Sequence, residues 1–218
     1  MPRRGTVWIT RHGERQDWVD KDWKRKHPEC SEYDTPLSEK GRLQAREVAE
    51  RLQAESIELI ISSPFQRAAE TAHIIADKLN LPVLLQPGIC ELVYALPPGY
   101  PDTDQLKQRF PRISGDFEPR LEPKRVEHGD HDTMERIVAV LDTCLAKTEG
   151  NTLFVSHGAP IMTGLQHLCG RLEYVGVCCV SKLTPSKEAR NGSFAMAYTA
   201  ELVNDCSHLS DKTHLRAF

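Results

Sequence analysis

The apolar run Val7, Trp8, Ile9 stops abruptly at Thr10 to Asp17, read as TRHGERQD, and this junction restricts the fold more than any other stretch of the chain. β-Branched and aromatic residues in such a run favour a strand. A strand that halts at an arginine, a histidine and a glycine delivers reactive side chains to the crevice outside the carboxyl end of an α/β sheet, and Gly13 lets backbone approach a ligand closely. Taken alone, a charged surface turn accounts for Arg11 and His12 equally well. Recurrence decides between the two readings. Thr152 to Val155 forms a second such run, ended by Ser156, His157 and Gly158, with Pro160 in the first turn of the helix that follows. A third, Ile57 to Ile61, ends in Ser62, Ser63 and Pro64 ahead of a helix expected over Gln66 to Leu79. Arg67 falls in the first turn of that helix, where unpaired backbone N–H groups and the dipole favour an anion and a guanidinium fork suits phosphate oxygens.

The remaining segments fill in an alternating pattern. Ser38 and Glu39 precede a helix whose apolar positions Ala45, Val48, Ala49 and Leu52 follow the 3.6-residue period. Leu81 to Gln86 reads as a short strand. Asp132, three residues before Glu135, is expected to cap a helix over Thr133 to Ala146, which gives His131 and Asp132 a structural role. Val175 to Val180 and Phe194 to Val203 read as strands that complete the sheet, and the polar tail Asn204 to Phe218 as a loosely held end. Strand–helix alternation without repeats or linkers predicts one α/β domain over residues 1–218, a three-layer α/β/α sandwich around a central, mostly parallel sheet.

Two stretches interrupt the rhythm. Trp18 to Pro28 carries Trp18, Trp23 and the basic residues Lys21, Lys24, Arg25 and Lys26, and reads either as a flap over the site or as a solvated loop anchored by its tryptophans. Residues 94–127 hold Pro97, Pro98, Pro101, Pro111, Pro119 and Pro123 beside Tyr94, Tyr100, Phe110 and Phe117, with a short helix expected from Asp102 to Arg109. This excursion either shapes substrate choice at the mouth of the site or is a passive surface loop.

Charge narrows the partners. Lys and Arg total 28 against 31 for Asp and Glu, a formal net charge of −3, which provides no global attraction to nucleic acid or to an anionic membrane. Any cationic site must therefore be local. The 7 cysteines include no CxxC pair and are expected to be reduced thiols, mostly buried, in a cytoplasmic protein; Cys178 and Cys179 lie in the stretch read as a strand. No apolar run reaches membrane-spanning length, and with the first strand starting so near Met1 no targeting peptide is expected.

Parallel strands with intervening helices bring their carboxyl ends to one edge, so Arg11, His12 and Arg15, then Arg67, then His157 can converge. Two histidines among three arginines make a pocket for a tetrahedral dianion. Phosphoryl transfer needs neutralisation of the equatorial oxygens, an in-line nucleophile and a proton for the leaving oxygen. Glu91, set among Ile89, Cys90, Leu92 and Val93, is the candidate proton donor, since burial there would raise its pKa; the bland reading is a glutamate that turns to solvent or pairs with an arginine.

The chain resembles the histidine phosphatase superfamily, in its phosphoglycerate-mutase-like branch. The match runs in order through TRHGERQD, TPLSEKGRLQA at 35–45, SSPFQRAAETA at 62–72, CEL at 90–92 and VSHGAP at 155–160, and so covers most of the domain. Arg15 and the insertion with Trp18 and Trp23 look most similar to the phosphatase domain of suppressor-of-T-cell-receptor-signalling proteins and ecdysteroid-phosphate phosphatases. The resemblance implies that His12 attacks phosphorus to give a phosphohistidine, that Arg11, Arg15 and Arg67 clamp the phosphoryl oxygens, that His157 donates a further hydrogen bond, and that Glu91 is the general acid and base. It implies no metal and no cofactor, and an acidic pH optimum would be in keeping with the surrounding cations. The expected partner is a small-molecule or phosphotyrosine-type phosphomonoester, with a homodimer compatible. Two other readings stay open: a phosphoglycerate mutase-type phosphoryl transferase, and a catalytically weak module that binds phosphorylated ligands. A cysteine-based phosphatase is disfavoured because no cysteine has an arginine six residues on.

Overall fold

In the computed structural model, which describes residues 4–31, 33–186 and 195–215, the first apolar run becomes β1 (Arg4–Arg11) at the heart of a seven-stranded sheet. Val7, Trp8 and Ile9 are all buried, so both faces of this strand are covered, as continuous apolar runs in parallel sheets require. The other strands are β2 (Leu59–Ser62), β3 (Val83–Leu85), β4 (Ile113–Asp116), β5 (Gly150–Ser156), β6 (Val180–Pro185) and β7 (Tyr198–Asp205), in the order β4-β3-β2-β5-β1-β6-β7. Strands β4 to β1 run parallel, while β6 and β7 are antiparallel additions at one edge. The helices are α1 (Gln16–Val19), α2 (Trp23–Lys26), α3 (Glu39–Leu52), α4 (Gln66–Leu79), α5 (Thr103–Arg109), α6 (Asp130–Lys147) and α7 (Gly158–Cys169). Helix α3 packs on α4 and α6 on α7, which yields the three-layer α/β/α arrangement expected from the alternation.

Local chemistry explains the helix starts that position the site. The Ser38 side chain accepts from Gly41 N at 3.0 Å and caps α3, whose apolar positions Ala45, Val48, Ala49 and Leu52 all face the core. At the start of α4 the cap comes from elsewhere in the chain: Asp34 Oδ1 accepts from Gln66 N at 2.6 Å. A small satellite cluster of Phe65, Cys90 and Val93, with Tyr100 against it, packs beside the main core.

Several boundaries differ from expectation. Residues 175–179 are not a strand. Cys178 adopts a left-handed φ of 52°, Val177 makes only a single bridge to Arg11, and the strand begins at Val180 and runs on to Pro185. The last strand starts at Tyr198, and Phe194 lies outside the described residues. The tail is held rather than loose: Leu209 is buried, Val177 N donates to Leu215 O at 2.8 Å, and Lys40 pairs with Asp211 at 2.7 Å. Helix α6 begins at Asp130, so Asp132 sits inside it and accepts from His128 N and from Arg125 instead of capping its start.

The excursion is partly regular. Asp102 forms a reciprocal capping box with Gln105 at the start of α5, as the expected helix required. Residues 113–116 then join the sheet edge as β4, which ISGD, with one apolar residue, does not announce. Its neck closes through two hydrogen bonds between the same pair, Glu127 N to Val93 O at 2.9 Å and Val93 N to Glu127 Oε2 at 3.1 Å. In the other interruption, Trp23 is buried and three of the four basic residues lie beside acids, Lys26 with Asp20 at 2.7 Å, Arg25 with Asp22 at 3.2 Å and Lys24 3.9 Å from Asp17, which fits an anchored loop there, while half-buried Trp18 lies toward His12, ring centroids 6.2 Å apart.

Candidate active site

Because β5 lies between β1 and β2, the three polar strand ends are neighbours. Backbone hydrogen bonds carry the alignment past the strands: His12 N donates to Ser156 O at 3.0 Å and Ser63 N to Val155 O at 3.0 Å. The rings of His12 and His157 stand 5.2 Å apart, centroid to centroid. Arg11, His12, Arg67 and His157 are all buried, none more than 4% exposed, which is unusual for two guanidinium groups.

The TRHGER segment is pinned from the α3 side. Ser38 N donates to Glu14 O at 2.9 Å, the Ser38 hydroxyl donates to Glu14 Oε1 at 2.7 Å, and Glu14 N donates to Gln44 Oε1 at 2.9 Å. Gly13 and Gly41 permit the approach, since a Cβ on Gly41 would lie 2.3 Å from Glu14 O and one on Gly13 2.5 Å from Gly41 O. Gly13 N also donates to Thr71 Oγ1 at 3.1 Å, tying the loop to α4.

Each histidine has one nitrogen committed. His12 Nδ1 lies 2.8 Å from Gly13 O, a carbonyl that can only accept, so Nδ1 carries the proton and Nε2 keeps its lone pair. His157 Nε2 lies 2.8 Å from Ser63 Oγ, which itself accepts from Phe65 N at 3.3 Å. While it accepts from Phe65 N, the Ser63 hydroxyl still has its proton to donate to Nε2, and in that tautomer the His157 proton sits on Nδ1. That Nδ1 is buried without a hydrogen-bond partner, and so are Nε of Arg11 and Nε of Arg67. Buried unpartnered donors are costly, and their concentration in one cluster suits a ligand with several acceptor oxygens.

Burial and the neighbouring Arg67 and Arg11 charges push His12 well below the usual imidazole range, and burial and Arg67 do the same to His157. Desolvation, with Arg15 adding to it, brings Arg67 down to about 10, while Glu91, Asp34 and Asp17 act the other way. Asp34, buried at the start of α4, is raised to about 6 by burial. The cationic side chains rest on aromatic faces: Arg11 lies 5.0 Å from the Tyr174 ring and 5.8 Å from that of Trp18, and Arg67 lies 4.6 Å from Phe65.

Arg15 reaches the cluster by charge, but its fork is engaged by Asp17, at 2.9 and 2.7 Å. Glu91 is only partly buried, so the apolar setting suggested by its sequence neighbours is not found; its Oε1 accepts from Leu92 N at 3.1 Å. Tyr33 and Tyr94 stack at 5.8 Å, and Arg67 Nη1 donates to Tyr33 O at 2.8 Å, so the excursion does border the site. Ser63, Asp34 and Tyr174 had no assigned role in the sequence reading; Ser63 lies within the SSPFQRAAETA stretch, but its partner His157, like Gln66 for Asp34 and Arg11 for Tyr174, is far along the chain. Among the described residues the one trio with metal-ligand side chains close together is His131, Asp132 and Glu135, at the surface end of α6. No helix is long and apolar enough to cross a membrane among the described residues.

Comparison with known proteins agrees with this picture. The profile of the Histidine phosphatase superfamily (branch 1) matches residues 7–190. A probable phosphoglycerate mutase GpmB from Enterobacter sp. (strain 638) is 31% identical over 220 residues, covering 93% of this chain and 94% of the relative. An uncharacterized phosphatase PhoE of Bacillus subtilis (strain 168) is 31% identical over 169 residues, 75% of this chain and 77% of that one. Among solved structures, the ecdysone phosphate phosphatase from Bombix mori in complex with tungstate superposes with a TM-score of 0.64 at 22% identity, covering 88% of this chain and 98% of that one. A likeness at that identity speaks for the fold.

Proposed function

The chain belongs to branch 1 of the histidine phosphatase superfamily, and from that premise we propose that it is a metal-independent phosphomonoesterase working through a phosphohistidine on His12. One observation carries the reading: His12 holds its proton on Nδ1 against Gly13 O, which leaves Nε2 as a neutral nucleophile beside the buried donors of Arg11, Arg67 and His157. Nε2 attacks phosphorus as the ester P–O bond breaks, and the leaving oxygen takes a proton from Glu91. Arg11, Arg67 and His157 bind the equatorial oxygens as charge spreads over them, with Arg15 adding field and, once released from Asp17, a fourth donor. In the second half Glu91, now a carboxylate, takes a proton from water; the water oxygen bonds to phosphorus, the P–N bond breaks, and phosphate leaves with His12 restored.

The test is hydrolysis of a small aryl phosphate in the presence of chelator, with rapid base quench to trap the phosphoenzyme. Histidine-bound phosphate survives base and is lost in acid. Turnover with a base-stable adduct is expected, and His12→Ala should lower the rate by about 10³-fold or more and abolish the adduct. Absence of both turnover and adduct in the parent chain, across pH and a varied monoester panel, would leave the phospho-ligand-binding reading instead.

The 31% identity to a probable phosphoglycerate mutase favours a second reading, a phosphoryl transferase that returns the group to its substrate. Both readings share the adduct. Product analysis with a phosphoglycerate separates them: inorganic phosphate supports the hydrolase, and positional isomerisation without phosphate release supports the mutase.

A further inference from the structure

Glu91 must be aimed at the leaving oxygen, yet its carboxylate makes a single hydrogen bond among the described residues, to the N–H of the adjacent Leu92. Such a bond within two residues cannot orient the segment that carries it. The 3₁₀ turn Pro87–Ile89 ends just before Glu91, and the Ile89 carbonyl that closes it accepts from the Ser156 hydroxyl at the end of β5, at 2.7 Å. Backbone carbonyls shielded from water need partners, and one side chain supplies those of Gly88, Cys90 and Glu91. Arg136, from the second turn of α6, donates through Nη1 to Gly88 O at 2.7 Å and to Cys90 O at 3.1 Å, and through Nη2 to Glu91 O at 3.3 Å.

The same guanidinium is fixed from behind. Its Nε donates to Glu127 Oε1 and its Nη2 to Glu127 Oε2 at 2.8 Å, a fork-to-fork pair. The two side chains are 10% and 3% exposed. Glu127 Oε2 also accepts from Val93 N and from the Thr133 hydroxyl at 3.0 Å. A buried ion pair of this kind is weak evidence for stability, because hydrophobic replacements often fold as well. What it supplies is geometry. From Gly88 to Val93 the chain on both sides of Glu91 is held by Arg136 and Glu127, and these two are held by each other.

We infer that Arg136, oriented by Glu127, is a positioning residue that aims Glu91 at the leaving-group oxygen. The inference rests on the role proposed for Glu91 above. Neither Arg136 nor Glu127 touches the phosphoryl cluster of His12, Arg67 and His157 in any described contact, so loosening them should affect proton delivery more than phosphate binding. That difference separates positioning from a merely structural role.

The test compares kcat/KM, which reports the first phosphoryl transfer, for an activated aryl phosphate and an alkyl phosphate. An activated phenolate leaves without help, whereas an alkoxide needs a proton, so a lost general acid lowers the alkyl-to-aryl ratio, here by about 10²-fold. Glu91→Gln serves as the reference. Arg136→Met should lower the same ratio to a similar degree, Arg136→Lys should recover part of it, and Glu91→Gln with Arg136→Met together should do little more than either alone. Glu127→Gln, which keeps the shape but removes the charge, should shift the ratio in the same direction and stands in if Arg136→Met does not fold, as judged by circular dichroism. If Glu91→Gln lowers the ratio while the folded Arg136 and Glu127 variants leave it unmoved or slow both substrates equally, the positioning role is overturned and the proposed function stands. If Glu91→Gln itself leaves the ratio unchanged, the role of Glu91 fails, and the inference with it.

Discussion

At the scale of single residues, the site is organised to keep imidazoles neutral. His12 and His157 are buried against arginine charge, so the fold accepts their protons far less readily than the unfolded chain does. The linkage has a definite sign. Above about pH 6.5 both states hold these rings neutral and stability is unaffected; as pH falls below that value the unfolded chain takes up protons that the fold refuses, and stability declines by up to about 1.4 kcal/mol per pH unit for each ring. His73 and His208, lowered mainly by burial, add to the slope, while Asp34, raised to about 6, opposes it between that value and its ordinary 3.8. Chemical denaturation at a series of pH values should show this decline, and His157→Gln should make it shallower; an unchanged slope would contradict the neutral-ring assignment. His12, Arg11, Arg67 and His157 were legible in the sequence because each sits where an apolar run ends or a helix begins. Ser63 shares such a strand end, yet its bond to His157 could not be read there, and Asp34 and Arg136 left no sign at all, since a cap or a clamp from across the fold leaves no periodic trace in its own neighbourhood.

At the scale of elements, the join between the TRHGER segment and α3 is the tightest in the site. Gly41 sits at the third position of α3, beneath the backbone of Glu14, and a methyl group there would meet the Glu14 oxygen at 2.3 Å. Gly41→Ala is therefore expected to cost about 1–3 kcal/mol, the usual range for overpacking, and to move the loop that ends in His12. Denaturant midpoints and kcat/KM together check this: destabilisation with a fall in activity of the folded fraction supports the account, and a variant as stable as the parent refutes it. Helix α4 was legible to the residue, Gln66 to Leu79, because its period and its proline-marked entry agree. The strand misplaced at 175–180 shows the opposite case. Its apolar composition reflects burial of a connector, and a left-handed turn at Cys178 places the pairing residues five positions later. Strand β4 escaped because an edge strand with Gly115 and Asp116 carries little alternation.

At the scale of the whole molecule, a chain of net charge −3 concentrates buried cations in one place while much of its surface basic charge is paired with acids, as in Lys40 with Asp211, Arg112 with Asp77 and Arg42 with Glu70. The alternating pattern made the layered, mostly parallel architecture readable at a distance, together with the shared edge where the three polar clusters meet, while the strand order came only with the structure. The satellite cluster of Phe65, Cys90 and Val93 carries a further consequence. Cys90 is next to Glu91, but burial pushes its thiol up to about 12, and the nucleophile proposed for the site is the His12 nitrogen. Peroxide attacks thiolates, so an enzyme of this construction should keep working through an oxidative burst that silences phosphatases built on cysteine. Exposure to hydrogen peroxide or iodoacetamide is expected to modify the exposed Cys30 first, by peptide mass mapping, with hydrolysis retained. Loss of activity in step with modification of Cys90 would show that its cover opens in solution.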